Sequence, residues 1–338
     1  MKTFSYIGAI ALLIGAAASA QGQDRKTMVV TASNTPVNQL LVYDSTDKLI
    51  QTIATEGKGG VTGNAGGITA WRKHLAVVNF GSQSVSLFEP SEDGFRLTQV
   101  IPAASSPVSV AFGNDHLYIL GTTKVESHRM FDFGVSSSPD GVAMLVKADG
   151  SSAQVGVVEN QLIITEKSNA IESVTLSADG AVSGLATLVQ NIPANVNAPF
   201  GLVTRENDAY VSIAHADEIS LVRNDNVLTI TGSGTQHAPC WLALDGPFLF
   251  SSNSPSKSIS RYAVYGQKIV QDDAVAATLN GSPTDIAHQA GLVAVIDGAG
   301  TLSHLSIFRV DEDGNLTLKG ASTINSAANG VAIIRTDD

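Results

Sequence analysis

Glu166 and Lys167 stand side by side in "LIITEKSNAIESVTLSADG", between one run that reads as a buried strand and another that reads as the next. A glutamate held in a narrow, partly dry pocket has its pKa pushed toward neutrality, as proton abstraction or lactone opening requires. The alternative is that the pair simply solvates a turn. Lys167 alternates with Glu166 along the chain, so it reads as a ligand-holding or a surface ammonium. His215, in "SIAHADE", occupies a comparable turn and is a second acid–base candidate. His128 and Arg129 lie in "KVESHRMFDFGVSSSPDG", an insertion-like stretch that could reach over a pocket. Cys240 beside Trp241 reads as packing rather than as a nucleophile. There is no G-x-S-x-G nucleophile elbow. "EGKGGVTGNAGG" lacks phosphate-loop spacing and reads as a flexible connection. Without a close acidic cluster, neither a metal nor a cofactor is expected.

Composition narrows the classes of function. With 31 acidic against 20 basic residues the chain carries a net charge of −11, and the cations are scattered, so nucleic acid is excluded as a partner. One cysteine in 338 residues rules out an intramolecular disulfide. At 43% hydrophobic and 15% charged, the chain has ample material for a core. Residues 1–20 read as a secretory signal: Lys2, an apolar run from Tyr6 to Ala17, then Ala18-Ser19-Ala20. That run is shorter than the ~20 residues of a membrane span. The expectation is an exported, periplasmic or extracellular chain with no membrane span, a monomer formed by residues 21–338 as one domain.

The elements that must position these residues are strands, and they repeat. "AGGITAW", "SPVSVAF", "SSAQVGVV", "APFGLVT", "APCWLAL", "SPTDIAH" and "AANGVAI" recur every 40 to 47 residues. A second and a third apolar run follow most of them, and a fourth comes after turns such as Asp179-Gly180 and Asp313-Gly314. Four strands per repeat is the unit of a propeller blade. The seventh repeat holds one strand, and "TMVVTAS", "QLLVYD" and "KLIQTI" near the other terminus supply three. The chain therefore predicts an all-β, seven-bladed β-propeller with four antiparallel strands per blade, blade seven closed by N- and C-terminal strands. In such a ring the inner-strand starts and the turns after the second strands should face a central pocket. That places Gln154, Phe200, Trp241, Asp285 and Asn329 beside Glu166, Lys167, His215 and Asn253 as candidates to bind a small molecule.

The strings "LIITEKSNAIESVTLSADG", "APFGLV", "APCWLAL", "SPTDIA" and "LVAVIDGAGTLSHLSIFRVDEDGNLT", with the closing "ANGVA", resemble the lactonase-type seven-bladed propellers. That group includes 6-phosphogluconolactonase and carboxymuconate-lactonising enzymes. The resemblance spans the whole expected mature chain. It implies a central pocket with a glutamate after a blade's second strand, matched by Glu166. It also implies an arginine and a histidine at that blade's inner-strand start, where this chain reads Ser151-Ser152-Ala153-Gln154. Two readings stand: a secreted lactonase-like enzyme, or a non-catalytic extracellular propeller binding a small molecule, glycan or protein.

Overall fold

His74–Asn79 and Asp208–Ile213 are buried at every residue, and Gln161–Glu166 is buried from Leu162 onward. Strands covered on both faces read as continuous apolar runs rather than as alternation. Each is the second strand of a four-stranded antiparallel sheet whose faces are covered by the neighbouring sheets. The outermost strands instead alternate with solvent, as in Lys268–Thr278. This computed structural model describes residues 27–92, 94–192 and 198–335. The signal segment expected at residues 1–20 lies outside them.

Seven sheets form a ring, one per repeat; six have four strands and that of blade two has five. Blade one runs from Ile68–Trp71 through His74–Asn79 and Ser84–Ser91 to Gly94–Pro102; blade three from Ser152–Val158 to Thr187–Leu188. Blade seven is assembled from both ends, in the order Asn329–Arg335, Thr27–Ala32, Gln39–Asp44, Leu49–Ala54. Its seam pairs Met28 with Ile334 and Val30 with Ala332, so the terminal strand leaves no open edge. Between blades lie clusters of Val, Ile and Leu; Val78, Leu87, Val110, Ile119 and Val155 join blades one to three.

Two local features position the site. Inner strands carry a register shift near their starts, between Pro107 and Ser109, Ser152 and Gln154, Pro239 and Trp241, and Pro283 and Asp285. A bulge re-aims the side chain that follows it. The second feature belongs to blade two. Its third strand, Lys124–Phe131, pairs with two short pieces, Gly134–Val135 and Gly141–Met144. His128 and Arg129 therefore lie in a strand opposite Leu117 and His116, not on a loop over the central pocket.

Candidate functional site

The glycine-rich connection between blades seven and one is a plug across the axis. Asn64 donates through Nδ2 to the Val108 carbonyl (2.6 Å) and accepts at Oδ1 from Asn329 Nδ2 (2.9 Å). Its own carbonyl takes the Trp241 indole N–H at 3.0 Å. Ala65 N–H donates to the Ala153 carbonyl, and the Gly66 carbonyl accepts from Val110 N–H. One segment thus ties to blades two, three, five and seven, which corrects the expectation of a flexible connection: fixed partners order it. Gly66 has φ +63°, and a Cβ there would lie 3.0 Å from Ser109 Oγ and 3.1 Å from Gln154 Nε2. Only glycine takes that turn in that space without strain.

Beneath the plug a cavity of about 230 Å³ runs along the axis from Gly66, Gln154, Trp241 and Asp285 toward Val203, Leu244 and Gln289. Gln154, Trp241 and Asp285 thus reach the axis, and Asn329 holds the plug. Asp285 is 4% exposed, and burial pushes its carboxyl up to about 7 against the opposing backbone N–H bonds. It accepts from Ile286 N–H (2.9 Å) and from Val331 N–H (3.2 Å) on the closing strand. Gln154 Oε1 accepts from Leu202 N–H at 2.6 Å. Both side chains tie one blade to the next rather than standing free in the cavity.

Glu166 is wholly buried. Oε2 accepts from Ser151 Oγ at 2.9 Å, and Oε1 has no hydrogen-bond partner. Burial pushes its pKa up to about 8, the Ser151 bond opposing. It shares a blade face with Glu172, which sits opposite Ile164 and accepts the Val146 and Lys147 N–H groups. The same second-strand position in blades one, five and six holds Asn79, Asn253 and Asp297, all 0% exposed. Asn253 Nδ2 donates to Ser258 and Ser260, and Asp297 Oδ1 pairs with His304 Nδ1 at 2.7 Å. The second-strand residue paired with the inner-strand start is thus buried in the blade packing, contrary to the expectation that it faces the pocket. Both faces of that strand are covered, so the pocket begins one residue later.

There, Lys167, Phe200, His215, Cys240 and Ser254 line an off-axis cavity of about 300 Å³ between blades three, four and five. Lys167 Nζ donates to the Gly63 carbonyl of the plug (2.6 Å) and to the Ser152 carbonyl (3.0 Å). It stands 5.9 Å from the centre of the Phe200 ring. Burial lowers its pKa; the nearby Glu166 and Asp149 oppose that. Phe200 packs edge-on to Trp241, centroids 5.2 Å apart. His215 is exposed on the short 3-10 turn Ala214–Ala216. Cys240 is 8% exposed, and burial pushes its thiol up to about 12, so it is no nucleophile near neutral pH. Two wall residues, Ala198 (φ 45°) and Ala238 (φ 48°), hold a left-handed backbone that costs alanine about 1 kcal/mol each. Such strain concentrates at functional sites. Ser254 was missed in the sequence because the projection stopped at Asn253.

The other candidates lie elsewhere. His128 is buried; its Nδ1 bonds the Ser136 carbonyl (2.7 Å) and its Nε2 lies 3.6 Å from Glu126. Arg129, 3.8 Å from Asp179, is exposed near the opposite end of the blades. Among the described residues no group of three or more His, Cys, Asp or Glu side chains could hold a metal ion.

A ring of seven antiparallel blades closed by a two-ended seam makes this a seven-bladed β-propeller. Solved structures with lactonase names share the fold. A 6-phosphogluconolactonase candidate from Bacteroides fragilis matches at 12% identity and TM-score 0.66, over 93% of this chain and 99% of that one. The periplasmic gluconolactonase of Pseudomonas aeruginosa matches at 13% and 0.63, over 92% and 99%. Virginiamycin B lyase from Staphylococcus aureus matches at 13% and 0.63, over 93% and 97%. No protein-family model matches the chain, and no curated protein matches it. At such identities the likeness carries the architecture, and one fold hosts many activities.

Proposed function

We propose that this propeller is an exported, monomeric lactone hydrolase working in the off-axis pocket of Lys167, Phe200 and His215. The observation that carries the reading is that one cavity gathers a half-buried ammonium, an aromatic wall and an imidazole. His215, in its neutral form, takes a proton from water as that water attacks the lactone carbonyl. Lys167 stabilises the oxyanion that develops, and afterwards the carboxylate. Collapse of the tetrahedral intermediate breaks the ring C–O bond, and the imidazolium returns its proton to the leaving alkoxide. The products are one hydroxy acid per lactone and water consumed. Glu166 does not touch the substrate: protonated below about pH 8, it leaves Asp149 as the carboxylate acting on Lys167.

A second reading, a binding propeller without turnover, is supported by the plugged axis and by the burial of Glu166. A panel of aldonolactones and simple γ- and δ-lactones, followed by proton release, separates the two. Hydrolysis above the buffer rate that falls in His215→Asn and Lys167→Met supports catalysis. Saturable binding without turnover moves the assignment to the second reading. Neither turnover nor binding overturns both.

A further inference from the structure

The insertion in blade two, which the off-axis pocket does not use, borders a cavity at the other end of the blades. Trp71 pairs with His74 across a two-residue turn, Arg72-Lys73, at the start of blade one's second strand. Lys167 instead follows the end of such a strand, so the two surfaces lie on opposite ends of the ring. A cavity of about 410 Å³ opens at this turn, lined by Trp71, Arg72, Lys73, Arg129, Phe131 and Asp132.

The side chains are arranged in layers. Trp71 stacks on Phe112, centroids 6.2 Å apart and planes 17° from parallel. The Arg72 guanidinium lies over the Trp71 ring at 3.9 Å, and the Lys73 ammonium lies 5.1 Å from the Phe133 ring centre. Phe131 and Phe133 are 58% and 85% exposed. Two exposed aromatic rings two residues apart beside a cavity give a ligand apolar surface to stack on.

These aromatics are held in place. Gln99 of blade one accepts the Val135 N–H (3.0 Å) and donates to the Val135 carbonyl (3.0 Å). Ser136 N–H donates to the Arg129 carbonyl, and Met130 N–H to the Asp115 carbonyl. Asp140 anchors the far side of the insertion through Ser127 Oγ (2.6 Å) and His116 Nε2 (2.8 Å). Arg72 itself adopts φ 51°, a conformation that hairpin turns usually give to Asn, Asp or Gly. The equivalent hairpins of other blades hold the same backbone at Asn114, Glu159, Glu206 and Ala290, so the φ belongs to the turn; what is particular to blade one is the guanidinium laid on Trp71.

We propose that this surface binds a ring-shaped carboxylate, either an acidic sugar or an aromatic acid. The flat apolar face of the ring stacks against the exposed aromatics, and the carboxylate meets Arg72 and Lys73. Arg129 stands 3.8 Å from Asp179 and two carboxylates, Asp115 and Asp132, share the wall, so the cations placed to meet an anion are Arg72 and Lys73 at the turn. Charge-assisted bonds to guanidinium supply the selectivity for an anion.

The test is a calorimetric titration of the full chain with digalacturonate, the neutral disaccharide galactobiose, and benzoate, repeated with Arg72→Gly and Phe133→Ser. Glycine accepts φ 51° freely and Phe133 is solvent-exposed, so both variants should keep the thermal midpoint. Saturable digalacturonate binding is expected, weakened by salt and roughly tenfold weaker in either variant, the scale of one lost cation–π or charge-assisted contact. Benzoate binding alone, lost in the same variants, keeps the site and names an aromatic acid as its ligand. Equal binding of galactobiose, binding indifferent to both substitutions, or no saturation by roughly 10 mM would each overturn the proposal. None of these readouts depends on lactone turnover, so the two sites fail separately.

Discussion

Replacing Glu166 with glutamine tests the burial of that carboxyl directly, because the substitution keeps the shape and removes the titration. The carboxyl moves from an ordinary 4.5 to about 8 in the folded chain. Its protonated form is the one the fold accommodates. The stabilisation this represents is fully present below about pH 4.5 and is lost as pH rises through about 8. A shift of 3.5 units, 8 minus 4.5, at about 1.4 kcal/mol each sets a ceiling near 5 kcal/mol. Relaxation and water entry around Oε1 reduce it, and about 2–4 kcal/mol is the expected span. Urea unfolding of wild type and Glu166→Gln at pH 5, 7 and 9 reads it as a difference, in which Asp285 cancels and the repulsion between Glu166 and Glu172 is included. At pH 5 the two should be within about 1 kcal/mol, the scale of one exchanged hydrogen bond. By pH 9 the variant should be the more stable by the full span. A stability difference that stays constant across that range would refute a neutral, buried Glu166.

Three other outcomes follow from the same structure. Gly66→Ala forces a side chain into a left-handed turn 3.0 Å from Ser109 Oγ; it should lower stability by about 1–2 kcal/mol and speed amide exchange across residues 61–67, read by mass spectrometry. Unchanged exchange would show that the plug is not held as described. Cys240 in the folded chain should resist a disulfide reagent at pH 8 and react fully in denaturant; rapid stoichiometric labelling of the native protein would contradict its burial. Truncation after Ser326 removes Asn329–Arg335, strips the pairing from Thr27–Ala32 and should abolish cooperative unfolding; a sharp transition in the shortened chain would show that the seam is dispensable.

The ring was legible in the sequence because its unit recurs seven times and each copy carries the same strand–turn punctuation. Even the split seventh blade could be read, since a lone "ANGVAI" strand demanded partners that only the other terminus had. The interior of the site was less so. A second strand buried on both faces offers no alternation, so nothing in "LIITEKS" says which side Glu166 takes. The residue that lines the off-axis cavity is its neighbour, Lys167. The plug was opaque for a different reason. Glycine-rich composition records what a backbone can do, while the partners that immobilise residues 64–66 come from Val108, Ala153, Trp241 and Asn329, up to 265 positions away. The insertion of blade two was visible as an insertion, but Gln99, which pins it, lies in another repeat and carries no mark of that task.

The plug also sets how fast each chamber can exchange its contents. A solute in the axial cavity meets Asn64 and its four blades at one end, so it must leave past Val203, Leu244 and Gln289 or wait for contacts across the ring to open together. The chamber beside Lys167 meets the plug through the ammonium bond to Gly63 and through Ala65, which clusters with Phe200 and Cys240. A rotamer change of Lys167, which also holds the Ser152 carbonyl, reshapes its rim. Side-chain hops take nanoseconds, whereas concerted openings take microseconds or longer. One short segment therefore gives the same ring a slow compartment and a fast one.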